Sequence, residues 1–412
     1  PDGLLANSKL KWETTISRNF GIDFGFLNNR VNGSLEVYWN TTKDLLMAVP
    51  VDNTTGYSYQ FQNFGKTSNR GIELSVNVDV INKGDFRFNV GAIYNYNRNK
   101  LDELPNADQY LYSSYWGSSS LVPTNDYMFV EGKAIGLVRG FISEGYYTVD
   151  DFNYTNGQYV LKEGVPDITK ALTATYMHPY DLPAGQTAFP GAAKFRDVDE
   201  SGTVDLDDAT CLGEVMPRHT GSFQLNFNYK NFDLSTNFNW TAGGKVYNVA
   251  AMINASGQEF DGIGAQRASW VADAFKVYNV NAAGDLYAVT NPDELRALNA
   301  NAKYHLPYHQ SGITSSEWLE NGSYLRLQTL TLGYTLPKNW LTKVHVDKIR
   351  LYLTATNLFT ITGYSGIDPE VNANPTGQSG FYSDLRIFPT LNMDFGTYPR
   401  ARTFTFGANI TF

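Results

Sequence analysis

Cysteine is nearly absent: Cys211 stands alone among 412 residues, so the chain can form no internal disulfide and no thiolate cluster for a metal. Charge is sparse as well. With 32 Lys and Arg against 41 Asp and Glu, only 18% of residues are charged and the net charge is −9, which leaves no basic footprint for nucleic acid. Long apolar runs are missing too. The longest, LLMAVPV at 45–51, falls far short of the roughly 20 residues that carry a helix across a bilayer. No Gly-x-Ser-x-Gly, P-loop or dinucleotide signature occurs. His305 and His309 have the four-residue spacing of some zinc sites, but Pro307 between them breaks the helix such a site needs. Acids such as Glu73 and Asp79 are explained by strand alternation. The chain is therefore not expected to be an enzyme.

What the chain has in quantity is aromatic residues and strands. Its 27 Tyr, 25 Phe and 7 Trp make up 14% of the sequence, enough to furnish both strands and membrane interfaces. In GIELSVNVDVI, Ile72, Leu74, Val76, Val78 and Val80 alternate with Glu73, Ser75, Asn77 and Asp79. After the turn NKGD, FRFNVGAIYNYN repeats the design, with Phe86, Phe88, Val90, Ala92, Tyr94 and Tyr96 on one face and Arg87, Asn89, Asn95 and Asn97 on the other. FQLNFNY and FDLSTNFNW do it again, and ARTFTFGANITF sets Phe404, Phe406, Ala408, Ile410 and Phe412 on one face. A period of two with a wholly apolar face places that face in an apolar medium. The opposite face, rich in Asn, Asp, Arg and Glu, reads as a wet lumen and not as a second core.

Connections alternate between short (27–30, 81–84, 229–232, 337–348) and long (48–61, 101–214, 245–320, 360–398). Outer-membrane barrels alternate short periplasmic turns with long extracellular loops in this way, whereas a soluble sandwich has no reason to. The predicted fold is all-β: a transmembrane antiparallel β-barrel with large extracellular loops. Strands are expected at 13–26, 31–47, 62–80, 86–99, 219–230, 232–243, 324–336, 349–358 and 400–412, with 101–214 and 245–320 as extracellular inserts. Nine is odd, while single-chain bacterial barrels have even strand numbers, so a part of a larger barrel is expected.

Seven stretches then carry a resemblance: LKWETT (10–15), FGFLNNRVNGSLEVYWNTTKDLL (24–46), NFGKTSNRGIEL (63–74), KFRDVDESGTVDLDD (194–208), WLENGSYLRLQTLTLGYTLP (318–337), NLFTITGYSGIDPEV (357–371) and YPRARTFTFGANITF (398–412). In this order and spacing the chain resembles the C-terminal part of SusC/RagA-family TonB-dependent outer-membrane transporters. The resemblance implies about nine C-terminal strands of a 22-stranded barrel, an N-terminal plug outside this chain, and a SusD-like surface lipoprotein as lid. It also implies TonB-energised import of oligosaccharides or peptides. Receptors for a metal chelate or vitamin, passive pores and surface adhesins share the strand pattern and remain alternatives.

Two further sets of residues are candidate sites. In DVDESGTVDLDD, oxygens fall at positions 1, 3, 5, 7, 9 and 12 of a calcium loop as Asp197, Asp199, Ser201, Thr203 (through its carbonyl), Asp205 and Asp208, with Gly202 at the sharp turn and Val204 at the apolar position. Position 12 is Asp in place of Glu, and the flank KFR reads as extended, so the expectation is a structural calcium ion outside a helix–loop–helix. The loop aromatics Tyr110, Tyr112, Tyr115, Trp116, Tyr146, Tyr147 and Trp270 form a candidate substrate surface, because sugar rings and peptides stack on such side chains. Tyr38, Trp39, Tyr94, Tyr96, Trp240 and Tyr334, near strand ends, are expected in interfacial girdles.

Overall fold

The computed structural model describes residues 4–57, 59–63, 65–104, 109–113, 122–173, 178–256, 268–306, 312–342, 346–371 and 391–412. Nine long strands make one antiparallel sheet in chain order: β1 Thr14–Phe26, β2 Val31–Lys43, β3 Lys66–Lys83, β4 Phe86–Glu103, β5 His219–Tyr229, β6 Phe232–Ala242, β7 Tyr324–Thr335, β8 Lys348–Thr362 and β9 Thr403–Thr411. The sheet passes directly from β4 to β5, so the residues between them add no strand to it. β1 and β9 stand at its edges.

The register keeps the two faces distinct. Val37, Ile72 and Tyr96 lie side by side across β2, β3 and β4, and Leu35, Leu74 and Tyr94 form the next row. On the opposite face Glu36, Glu73, Asn95 and Thr220 share a row. Polar side chains there bond across strands: Asn89 donates to Asn77 and Asp79 at 3.0 Å each, Ser235 to Asn226 at 2.7 Å, and Asn19 to Glu36 at 3.0 Å. A slip of one residue in any strand would exchange the faces, so this pairing is strongly specified. Phe20 (60% exposed) and Phe406 (73%) stand open on the apolar face among the described residues.

Most strand ends shift from the expected ones for local reasons. β2 stops at Lys43 because Asp44 turns the chain with φ 57°, and Leu46–Pro50 then pairs with the separate strand Tyr59–Asn63. β3 and β4 reach 18 residues each. Tyr38 corrects the girdle reading: it lies on the polar face, donating to Asn97 at 3.0 Å, with its ring across Gly71, where an added Cβ would sit 2.3 Å from that ring. Trp39, Tyr94, Tyr96, Trp240 and Tyr334 belong to the apolar face.

The two large inserts are not separate structures. One core joins Phe141, Tyr147, Ile168, Phe189 and Val204 of the first with Phe275, Val277, Val289 and Leu295 of the second. Another joins Leu101, Tyr112 and Tyr127 with Tyr247, Trp270 and Trp318. Bridges from Val122 to Ile313 and from Phe141 to Ser315 tie their backbones together. Among the described residues, no helix is long and apolar enough to cross a membrane.

Candidate functional site

The loop 197–208 is held by the geometry its residue types dictate. Asp197 accepts from the amides of Ser201 (3.1 Å) and Gly202 (2.7 Å), which curls the chain tightly enough to need Gly202 at φ 87°. Asp199 accepts from Ser201 at 3.0 Å, and the hydrogen bonds from Ser201 hold its carboxyl below the usual range. Asp208, fully buried, accepts from Val198 (2.5 Å) and Asp205 (2.8 Å), closing the loop end to end. Carboxylate oxygens of Asp197, Asp199 and Asp208 lie within 4.8 Å of one another. Ser201 Oγ donates to the Thr203 carbonyl at 3.0 Å, bringing those two oxygens together, whereas Asp205 is turned to cap the amide of Asp207 at 2.8 Å. Val204 anchors the loop in the shared core and, with Thr203, pairs in parallel with Asp167–Ile168. Three oxygen ligands in reach of one point, with two more close by, suit a hard cation such as calcium.

The aromatic set does not form one surface, and here the structure corrects the reading. Tyr147 is fully buried and donates to the Pro166 carbonyl at 2.6 Å; Tyr112 (4% exposed) stacks on Phe129 at 4.7 Å; Trp270 (7%) stacks on Tyr304 at 5.1 Å. These three are core residues of the inserts, closed to a ligand. Tyr146 is half-buried, packed edge-on against Phe275 and bonded to the Ala302 carbonyl, and Tyr110 is half-buried against the second core. Tyr115 and Trp116 lie outside the described residues, as does His309 of the rejected zinc pair. His305 is buried, with its Nε2 3.8 Å from Glu317.

Sequence reasoning missed an ion-pair network on the polar face. Arg326 of β7 is 2% exposed and donates to Thr360 of β8 at 3.0 Å, to Glu370 at 3.0 Å and to Asp368. Arg400 completes it by donating to Glu370. The segment carrying those acids is also stitched to the insert, because Ser365 donates its amide to Glu320 at 2.7 Å and accepts from Asn248 at 3.3 Å. Near the short turns at the other end of the same face, Arg350 forks onto Asp233 across two strands. The acids had a legible signal in IDPEV, but nothing in the sequence pointed it at Arg326.

A sheet with one face for hydrocarbon and the other for water, carrying structured inserts at one end, is the wall of a membrane β-barrel. The family model of TonB-dependent receptor-like β-barrels matches residues 1–358, and the chain belongs to that family. TonB-dependent receptor P3 of Formosa agariphila is 30% identical over 408 residues, which cover 99% of this chain and 35% of the relative. TonB-dependent receptor SusC of Bacteroides thetaiotaomicron is 27% identical over 416 residues, 98% of this chain and 32% of the relative. The solved RagAB peptide transporter shares the fold, with a TM-score of 0.67 at 22% identity, covering 99% of this chain and 36% of that one. The chain thus spans about a third of the length of the curated relatives it matches. The family places it in the bacterial outer membrane, where the apolar face of β1–β9 meets lipid.

Proposed function

We propose that this chain is the C-terminal wall and outer insert of a SusC-type importer, which carries oligosaccharides or peptides across the outer membrane and has no catalytic activity of its own. A SusD-like surface lipoprotein covers the inserts, and TonB drives transport through the part of the protein that precedes this chain. The observation that carries the reading is the joining of 101–214 and 245–320 into one body on shared cores, at the end where β2, β4, β6 and β8 finish. Such a body is far larger than closing adjacent strand ends requires, and large ordered loops on a rigid scaffold bind something. Similarity to a protein named SusC over almost the whole chain supports the same reading. The inserts then lie outside the cell, supplying lid contacts and part of a chamber wall. Deleting the full-length gene should abolish growth on one class of oligomeric nutrient while growth on its monomers persists. Unchanged growth on every oligosaccharide and peptide supplied, with iron-chelate or cobalamin uptake lost, would overturn the reading in favour of a chelate or vitamin receptor.

We also propose that 197–208 takes one calcium ion through Asp197, Asp199, Ser201, the Thr203 carbonyl, Asp205 and Asp208, with a structural role. Support comes from the loop sequence and from the convergence of three of its carboxylates. Asp205 must turn from Asp207 to join. Calcium should raise the unfolding temperature of the full-length protein, and chelator should reverse it; no calcium response in the wild type, or an undiminished one in Asp197→Asn, would end the proposal.

A further inference from the structure

The lipid-side face carries a feature that transport does not use. Arg18 of β1, Trp39 of β2, Arg70 of β3 and Arg98 of β4 occupy one continuous row, each in direct register with the next. Alternation puts all four on the apolar face, continuing the series Phe20, Val37, Ile72 and Tyr96, and all four are exposed. Arg70 and Arg98 are cross-strand partners, with backbones about 5 Å apart, and like charges placed so repel. Among the described residues no acid relieves them. Asp102, at the same end, is taken by Lys100 at 3.6 Å, Glu103 by Lys66 at 2.8 Å, and Glu36 and Glu73 lie on the opposite face. Two adjacent guanidinium groups with a third two strands away, unpaired and beside a tryptophan, call for an external anion.

Their height names the anion. The row lies two residues, about 7 Å along the strand, beyond the last apolar row, toward the end bearing the inserts. That is the level of headgroups above an apolar band about 25 Å tall, where Trp39 also fits. We propose that Arg18, Arg70 and Arg98 form a binding site for the phosphate of an outer-leaflet glycolipid of the lipid A type. Its acyl chains lie along Phe20, Ile22 and Ile72 below, and Trp39 sits at the junction. The assignment rests on the inserts being extracellular, since the inverted orientation would put the row among inner-leaflet phospholipids.

The test uses the full-length barrel in detergent, titrated with monophosphoryl lipid A and read by native mass spectrometry. Each basic side chain near an anionic surface is worth about fivefold, so Arg70→Gln/Arg98→Gln should bind about 30-fold more weakly than wild type. The dephosphorylated lipid should lose a comparable factor on wild type, and Lys83→Gln, at the opposite end, should change nothing. Millimolar inorganic phosphate should not displace the lipid. Binding by the double variant within twofold of wild type, equal binding of the dephosphorylated lipid, or displacement by inorganic phosphate would each overturn the proposal. Heat-modifiable migration of both variants establishes that they fold. Orientation is read separately in a Cys211→Ser background, with cysteines at Glu163 and Lys83 and an impermeant reagent on intact cells. Labelling at Lys83 alone defeats the topology, whereas labelling at Glu163 alone with lipid binding unaltered defeats only the lipid site.

Discussion

Replacing Arg326 by Met should destabilise the barrel wall by about 3 kcal/mol. The guanidinium is 2% exposed and serves three acceptors: Thr360, Asp368 and Glu370. Methionine fills much of the same volume, so packing loss is small and the effect isolates the charge. Among the described residues, Asp368, 8% exposed, would keep only the Glu370 amide at 2.9 Å for a buried carboxylate. Breaking a buried pair from one side costs roughly 3–5 kcal/mol, most of it the stranded charge. The lower end applies because Glu370 is better solvated and keeps Arg400 at 2.6 Å. Arg326→Met/Asp368→Leu removes both charges and should recover about 2 kcal/mol, a coupling visible in a double-mutant cycle. Denaturant midpoints of the full-length barrel in detergent give the energies, and hydrogen exchange at 363–371 shows where the loss is felt. A cost below about 1 kcal/mol for Arg326→Met, or strict additivity in the cycle, would refute the argument that this buried network ties the segment to the wall.

Val76→Arg and Phe88→Arg each put a charge on the lipid-facing rows and should cost on the order of 2–4 kcal/mol near the midplane, read as reduced insertion; normal insertion of both would contradict the assigned faces. Phe88→Arg also breaks a ring stack with Phe227 at 4.2 Å, so it should be the worse of the two. Burial raises the Glu317 carboxyl above the usual glutamate value of 4.5, against a smaller opposing effect of His305. The folded protein then binds the proton more tightly than the unfolded one, so this group's contribution falls as pH rises from 4.5 through the raised value. Glu317→Gln should therefore match wild type below that window and exceed it in stability above, and parallel melting curves at every pH would refute it. Gly71→Ala should disrupt the wall, because the Tyr38 ring and the Tyr96 carbonyl leave no room for a Cβ; Gly71→Ala/Tyr38→Ala should relieve only the ring's share, as measured by heat-modifiable migration.

The sequence alone determined the strands, their faces and their number. Alternation over ten or more residues is a local pattern, and a face that must meet lipid tolerates almost no exception, so GIELSVNVDVI and FRFNVGAIYNYN could be read without partners. The tight acidic loop 197–208 was legible for the same reason, since its oxygens, Gly202 and Val204 lie within twelve consecutive residues. In the inserts no period says which side of the chain is buried. Tyr112, Tyr147 and Trp270 look like surface aromatics until two segments far apart in sequence close cores around them. Tyr38 and Trp39 are neighbours in the chain, so alternation along β2 parts them, but only the assembled sheet shows the Tyr38 ring lying across Gly71 and its hydroxyl reaching Asn97. Arg326 meets an aspartate 42 residues away, and Arg18, Arg70 and Arg98 become a row through three consecutive strand pairings that no spacing along the chain encodes. Strand identity is set by neighbours in sequence, but charge pairing and burial are set by neighbours in space, and those are chosen when the sheet assembles.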